Sequence, residues 1–159
     1  MLELIPVSAN VIACLAEPSA VDAAAAAWRG TALRIAPDEA MLVGNEATEA
    51  VAGAAAALDA DALVADVTDG WAIWRIEGRE AAAALERLSQ VPVERGFAQG
   101  RVAGAPAKVV VESDAVVLLV PAMSGEAVRE RIAADCRSLG IRESPGPRAW
   151  GIDPSGAGA

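Results

Sequence analysis

The side chains that could do chemistry in this chain are few. It contains no histidine, which removes the Ser-His-Asp and Cys-His arrangements, the usual zinc sites and the commonest acid–base residue. The two cysteines, Cys14 and Cys136, lie far apart and neither belongs to a Cys-x-x-Cys pair. Buried thiols of a cytoplasmic protein are expected, with a disulfide as the alternative. The densest polar cluster is Asp66, Thr68 and Asp69, followed by Gly70, Trp71 and Trp74. Two carboxylates and a hydroxyl at a strand end could hold a pterin or a partner's loop. The same residue types also bond their own backbone in turns. Trp71 and Trp74 are three apart, so on a strand they face opposite sides. One then belongs to a core, and the other can anchor an interface, where tryptophan is favoured. Trp150 is the anchor candidate of the C-terminal segment. The stretch GFAQGRVAG has three glycines but lacks the Lys-Ser/Thr and helix start of a phosphate loop, so a flexible loop is expected. No catalytic, cofactor-binding or metal-ligating set is assigned. Asp66, Thr68, Asp69, Trp71, Trp74 and Trp150 stand as partner-interface candidates.

Composition narrows the classes further. A net charge of −9 argues against nucleic acid, which needs a basic face, and against an anionic membrane surface. No apolar run reaches the length of a membrane span, and the opening MLELIPVSAN lacks the basic region and long apolar core of a signal peptide. Apolar content is high, but much of it is alanine and there is no tyrosine. Alanine buries little area, so Trp28, Trp71, Trp74 and Trp150 carry unusual weight.

The elements that must position these residues follow from pattern. Asn10–Glu17 reads as a buried strand, and Ser19 as the cap of an Ala-rich helix through Arg29 that Gly30 stops. Thr31–Ala36 and Ala40–Val43 form a hairpin across Pro37-Asp38-Glu39. A second Ala-rich helix covers Glu46–Leu58. Leu63–Val67 is a strand, Thr68–Gly70 a break, and Trp71–Glu77 an alternating strand. Gly78 turns the chain into an amphipathic helix, Arg79–Gln90, which Pro92 ends. Glu94–Arg101 reads as a loop. Ala107–Val111 and Ala115–Val120 form a second hairpin, and Ser124 caps a helix over Gly125–Leu139 that Gly140 ends. The charged run Arg75, Glu77, Arg79, Glu80 reads as a solvated rim, and Glu126, Arg129, Glu130 and Arg131 as pairs on an exposed helix face.

The order strand, helix, hairpin, helix occurs twice, with an added strand between. This predicts an α+β fold of two ferredoxin-like β-α-β-β-α halves, with a single mixed sheet as the alternative. One domain over 1–140 is expected, with halves at about 10–60 and 61–140. A Pro/Gly-rich tail over 141–159 would either drape on the surface or lie on a partner with Trp150 as anchor.

The stretch LVADVTDGWAIWRIEGREAAAALERL resembles the folate-binding aminomethyltransferase superfamily, the glycine-cleavage T-protein fold. The matching residues are Asp66, Thr68, Gly70, Trp71, Gly78, Ala81, Leu85 and Leu88. Together with the Pro37-Asp38-Glu39 hairpin and the chain's size, the likeness is to the sarcosine oxidase gamma subunit family, over roughly Ile12–Leu139. Ala40 departs from it, standing where that family often has tryptophan. The resemblance implies a non-catalytic subunit that stabilises a heterotetrameric complex performing oxidative demethylation of an N-methyl amine. It implies larger alpha-, beta- and delta-like partner subunits. It also implies that flavin, NAD and tetrahydrofolate are carried by those partners and that none is bound by this chain. A free-standing folate-binding or aminomethyltransferase-like module is the alternative.

Overall fold

Eleven strands and four helices follow in chain order among the described residues, which in this computed structural model are 1–92 and 94–151. They are β1 (Leu2–Ser8), β2 (Asn10–Leu15), α1 (Pro18–Ala27), β3 (Thr31–Ala36), β4 (Glu39–Gly44), α2 (Glu49–Ala56), β5 (Leu63–Asp66), β6 (Trp71–Glu77), α3 (Ala81–Leu88), β7 (Gly96–Val102), β8 (Ala105–Val111), β9 (Ala115–Pro121), α4 (Gly125–Asp135), β10 (Ile141–Glu143) and β11 (Arg148–Ala149). The protein is α+β with two sheets and two compact units. One unit is Met1–Ser8 with Asp69–Arg148; the other is Ala9–Thr68 with residues 149–151.

The Ala9–Thr68 unit is a complete β-α-β-β-α-β arrangement with sheet order β3-β4-β2-β5 and antiparallel neighbours throughout. Both helices cover one face. Ile12, Cys14 and Leu42 from the strands meet Val21, Ala24 and Val51 from the helices, and all of them are buried. This corrects the boundary expected from sequence. Leu63–Asp66 does not open the second half; it closes the first, with Ala13 opposite Ala65. Periodicity assigns a strand but not its neighbour, and here the chain leaving α2 returns beside β2.

The helix starts also differ from expectation. Ser19 lies inside α1, and Pro18 opens it, with no side-chain cap. Proline suits the first helical position because its missing N–H has no intrahelical partner there anyway. Ser124 flanks α4 in helical conformation after a 3-10 turn over Ala122–Ser124, so its hydroxyl does not cap either.

The Asp69–Arg148 unit has sheet order β10-β1-β6-β9-β8-β7, with β11 also pairing β1. Its hairpin-and-helix order is the expected repeat, widened at the edges. Helices α3 and α4 cover one face, where Leu4, Ile76 and Leu118 meet Leu85, Leu88 and Ile132. Four strands, β1, β7, β10 and β11, were not evident from sequence. MLELIPVS forms β1 between β6 and β10, although Pro6 argues against an interior strand. GFAQGRV, expected as a flexible loop, pairs along its length with β8. Its turn, Ala103-Gly104, has φ of 52° and 83°, as the two-residue hairpin turn that matches strand twist requires. The expected tail also enters the sheet, since Ile141–Glu143 runs parallel to β1. The part of it beyond residue 151 lies outside the described residues. The helix over Gly125–Leu139 ends at Asp135, and the following 3-10 turn closes on Gly140 at φ 74°.

Close approach explains one glycine in particular. A Cβ at Gly30 would lie 2.2 Å from the Val43 carbonyl oxygen and 2.6 Å from Trp28 Nε1. Those two atoms are themselves joined by a 3.1 Å hydrogen bond. Gly30→Ala is therefore expected to lower unfolding free energy by about 1–3 kcal/mol. Gly53→Ala, where an added Cβ meets nothing within 4 Å, should be neutral or raise stability by about 0.5–1 kcal/mol. Urea denaturation of both variants checks the contrast.

Candidate functional site

Asp66 and Thr68 are brought together by turn chemistry. The Thr68 N–H donates to Asp66 Oδ1 at 2.9 Å, and the Val11 N–H donates to Thr68 Oγ1 at 2.9 Å. The Thr68 hydroxyl and N–H hold the Asp66 carboxyl below the usual carboxylate range. These groups therefore fasten the end of β5 to β2. Asp69 is exposed in the 3-10 turn Thr68–Gly70.

The tryptophans separate by role. Trp74 packs against the helix-covered core, and its Nε1 donates to the Gly125 carbonyl at 3.0 Å. Trp71, on the opposite face of β6, is half-buried. Trp150 is only 8 % exposed. Its Nε1 donates to Thr31 Oγ1 at 3.2 Å, and its carbonyl accepts from Asn45 Nδ2 at 3.3 Å. Trp150 is thus an anchor within its own chain. Of the interface candidates, Asp66 and Asp69 are exposed, Thr68, Trp71 and Trp74 are half-buried, and Trp150 is enclosed.

Sequence reasoning missed an ion cluster. Arg75, expected on a solvated rim, has a side chain only 16 % exposed. Its Nε lies 2.7 Å from Glu77 Oε2, and another guanidinium nitrogen lies 2.9 Å from Glu112 Oε2. Arg148 adds a 2.9 Å contact to Glu77 Oε2. Burial opposes the Arg75 charge, but hydrogen bonds to Glu77 and Glu112 outweigh it and raise its pKa. The Glu112 Oε1 atom is buried without a hydrogen-bond partner among the described residues. Arg75 and Glu112 are 37 positions apart, and only the strand register makes them neighbours.

Both thiols are free and buried, and burial raises both pKa values, offset in part at Cys14 by Arg34 and at Cys136 by Arg87. Raised pKa and burial make poor nucleophiles. Among the described residues no group of three or more His, Cys, Asp or Glu side chains converges as a metal-ligand set. No described helix is long and apolar enough to cross a membrane.

Two open clefts among the described residues adjoin polar side chains. One, of about 690 Å³, lies between the end of α3 and the β7–β8 hairpin, with Arg87, Ser89, Gln99 and Arg101 on its wall. Its two arginines are engaged: Arg87 donates to the Ser138 hydroxyl and the Asp135 carbonyl, and Arg101 donates to the Gly104 carbonyl. The other, of about 620 Å³, is lined by Leu15, Glu17, Pro18, Pro37, Asp38 and Asp59.

The fold these units define, ferredoxin-like α+β halves in one chain, recurs in solved structures. A chain of the heterotetrameric sarcosine oxidase from Corynebacterium sp. U-96 in complex with pyrrole 2-carboxylate superposes with TM-score 0.76 at 18 % identity. The match covers 90 % of this chain and 87 % of that one. The glycine cleavage system aminomethyltransferase T from Bartonella henselae gives TM-score 0.65 at 17 % identity, covering 89 % of this chain and 47 % of that one. The ligand-free regulatory subunit of aspartate kinase from Thermus thermophilus gives 0.50 at 14 % identity, covering 82 % and 95 %. At these identities the likeness is one of fold. No protein-family model matches the sequence, and no curated protein matches it.

Two measurements test the roles given to these side chains. Trp150→Ala removes a buried indole and its hydrogen bond, and should lower unfolding free energy by about 3 kcal/mol. The second concerns pH. Arg75 hydrogen bonding comes first among the causes that lower the Glu77 pKa, over a partial desolvation penalty, with Arg148 adding to it. The folded chain therefore holds fewer protons at Glu77 than the unfolded chain. Its contribution to stability is present above the ordinary glutamate pKa and is lost as pH falls through the lowered value. Wild type should thus exceed Glu77→Gln at neutral pH, and the two thermal transitions should converge as pH falls below the usual carboxylate range.

Proposed function

We propose that this chain is a non-catalytic, gamma-like subunit of a heterotetrameric sarcosine-oxidase-like complex. In this reading the complex is cytoplasmic and oxidises an N-methyl amine. The methyl carbon passes to tetrahydrofolate, and electrons pass through flavin to oxygen. Flavin, NAD and tetrahydrofolate belong to the larger alpha-, beta- and delta-like subunits, and this chain stabilises their assembly, with Trp71 and Asp69 among its contact residues.

The observation that carries the reading is the end-to-end likeness to one chain of the Corynebacterium enzyme. Coverage of 90 % on one side and 87 % on the other means two chains of nearly equal length sharing one fold. The sequence resemblance through Asp66, Thr68, Gly70 and Trp71 points the same way. The alternative, a free-standing folate-binding module, draws on the aminomethyltransferase likeness, but this chain spans only about half of that enzyme.

Co-expression with large flavoprotein subunits tests the proposal. The expected outcome is co-elution of this chain with them in size-exclusion chromatography, and calorimetry of the isolated chain with no saturable heat from tetrahydrofolate. A chain that stays alone beside those subunits overturns the proposal. Saturable folate binding by the isolated chain would replace it with the alternative.

A further inference from the structure

The charge of this protein is segregated. Residues 9–68 hold nine carboxylates against two arginines, a net charge of −7 of the chain's −9. Residues 1–8 with 69–148 hold twelve carboxylates against eleven cations, and are nearly neutral. Both arginines of the acidic unit are already paired, Arg29 with Glu46 and Arg34 with Asp22. Glu17, Asp38, Asp59, Asp61 and Asp66 have no Lys or Arg partner among the described residues.

Asp59, Asp61 and Asp66 adjoin a sheet edge that has no partner strand among the described residues, and Glu17 and Asp38 lie at the same end of the neighbouring strands. Strand β5 ends the sheet order β3-β4-β2-β5. Its partner on one side is β2, with Leu15 opposite Leu63. Both leucines face away from α1 and α2, and are 42 % and 56 % exposed. Leu15 also lines the 620 Å³ cleft beside Glu17, Asp38 and Asp59. The cleft wall is fixed, because Asp59 accepts the Glu17 N–H through Oδ2 and the Asp61 N–H through Oδ1, each at 2.9 Å.

We infer that the β5 edge, with the Leu15–Leu63 pair and its flanking carboxylates, docks an extended cationic segment of a partner polypeptide by strand addition. An open edge presents unpaired N–H and C=O groups to an incoming strand. Pleating puts alternate incoming side chains beside Leu63 and Ala65 on one face and beside Val64 and Asp66 on the other. Leu15 and Leu63 select apolar side chains for the first face. The unneutralised carboxylates select Lys or Arg over Asp or Glu. With only four residues in β5, main-chain bonds alone are too few to hold a partner, so the leucines and charges must supply the rest. As the dock for a larger oxidase subunit this rests on the reading proposed above. As a surface for a cationic strand it stands on the geometry.

The test uses the full chain and a synthetic peptide of about eight residues alternating valine and lysine, with a valine–glutamate peptide as control. Saturable binding of the lysine peptide is expected, with slowed amide exchange confined to β5. The affinity should weaken about tenfold or more between about 50 mM and about 500 mM salt. Leu63→Ser, at an exposed position that leaves the circular dichroism unchanged, should weaken binding by about tenfold. Equal binding of the glutamate peptide, protection elsewhere in the chain, or no saturation at millimolar peptide overturns the inference. Co-expression separates it from the assembly reading. If Leu63→Ser assembles with flavoprotein subunits as well as wild type does, β5 is not their dock, although assembly stands. If wild type binds the lysine peptide but never those subunits, the assembly reading falls and the surface stands.

Discussion

Three indole N–H groups hold this structure together. A buried tryptophan contributes large apolar area but leaves a donor that is costly to strand without an acceptor. The Leu, Ile, Val and Ala side chains that fill the rest of the core carry no such donor. Trp28 gives its N–H to Val43 and ties the end of α1 to β4. Trp74 gives its N–H to Gly125 and ties β6 to the first turn of α4. Trp150 gives its N–H to Thr31 and ties the C-terminal segment to β3. Small residues make room at two of these sites: Gly30 and Gly44 lie against Trp28, and a Cβ on Gly125 would collide with Ala72.

Around those anchors the two units use different electrostatic solutions. In the Asp69–Arg148 unit carboxylates and cations are nearly equal in number, and Arg75 is drawn below the surface because Glu77 and Glu112 offset its desolvation. In the Ala9–Thr68 unit the carboxylates outnumber the cations and stay at the surface. Paired charge supports a fold; unpaired charge beside exposed leucine is free to choose a partner.

Much of the fold was legible in residue pattern. The hairpin Thr31–Gly44, the strand Trp71–Glu77 and the amphipathic helix ending at Leu88 follow from alternation, turn residues and 3.6-residue spacing. Where the reading failed, a local rule met a tertiary contact. GFAQGRV has the glycines of a loop, but β8 offers it a full ladder. MLELIPVS contains a proline, yet it lies against a strand some seventy residues away. Ser19 has the chemistry of a cap, but Pro18 already opens the helix. Of the candidate site, Asp66 and Thr68 were found as a pair, and their fastening role was one of the two readings open to them. The Arg75–Glu112 pair and the Leu15–Leu63 pair gave no sequence signal, because each is created by strand register alone.

The amino-acid sequence by itself determined the inventory: no histidine, two isolated thiols, few aromatic anchors, an excess of carboxylates and a twice-used strand–helix–hairpin–helix order. Those are local or compositional properties, and they were enough to set the fold class and to lower the expectation of catalysis. Only the tertiary structure decided which strands are neighbours, which tryptophans are enclosed and which carboxylates lack a cation. Each of these depends on pairs distant in sequence, whose meeting is governed by sheet order and register rather than by periodicity. The Asp66–Trp74 stretch shows the division within nine residues. Its types announced polar and aromatic chemistry, but the fold placed Asp66 and Thr68 in a turn, Trp74 in a core and Trp71 at a half-open face.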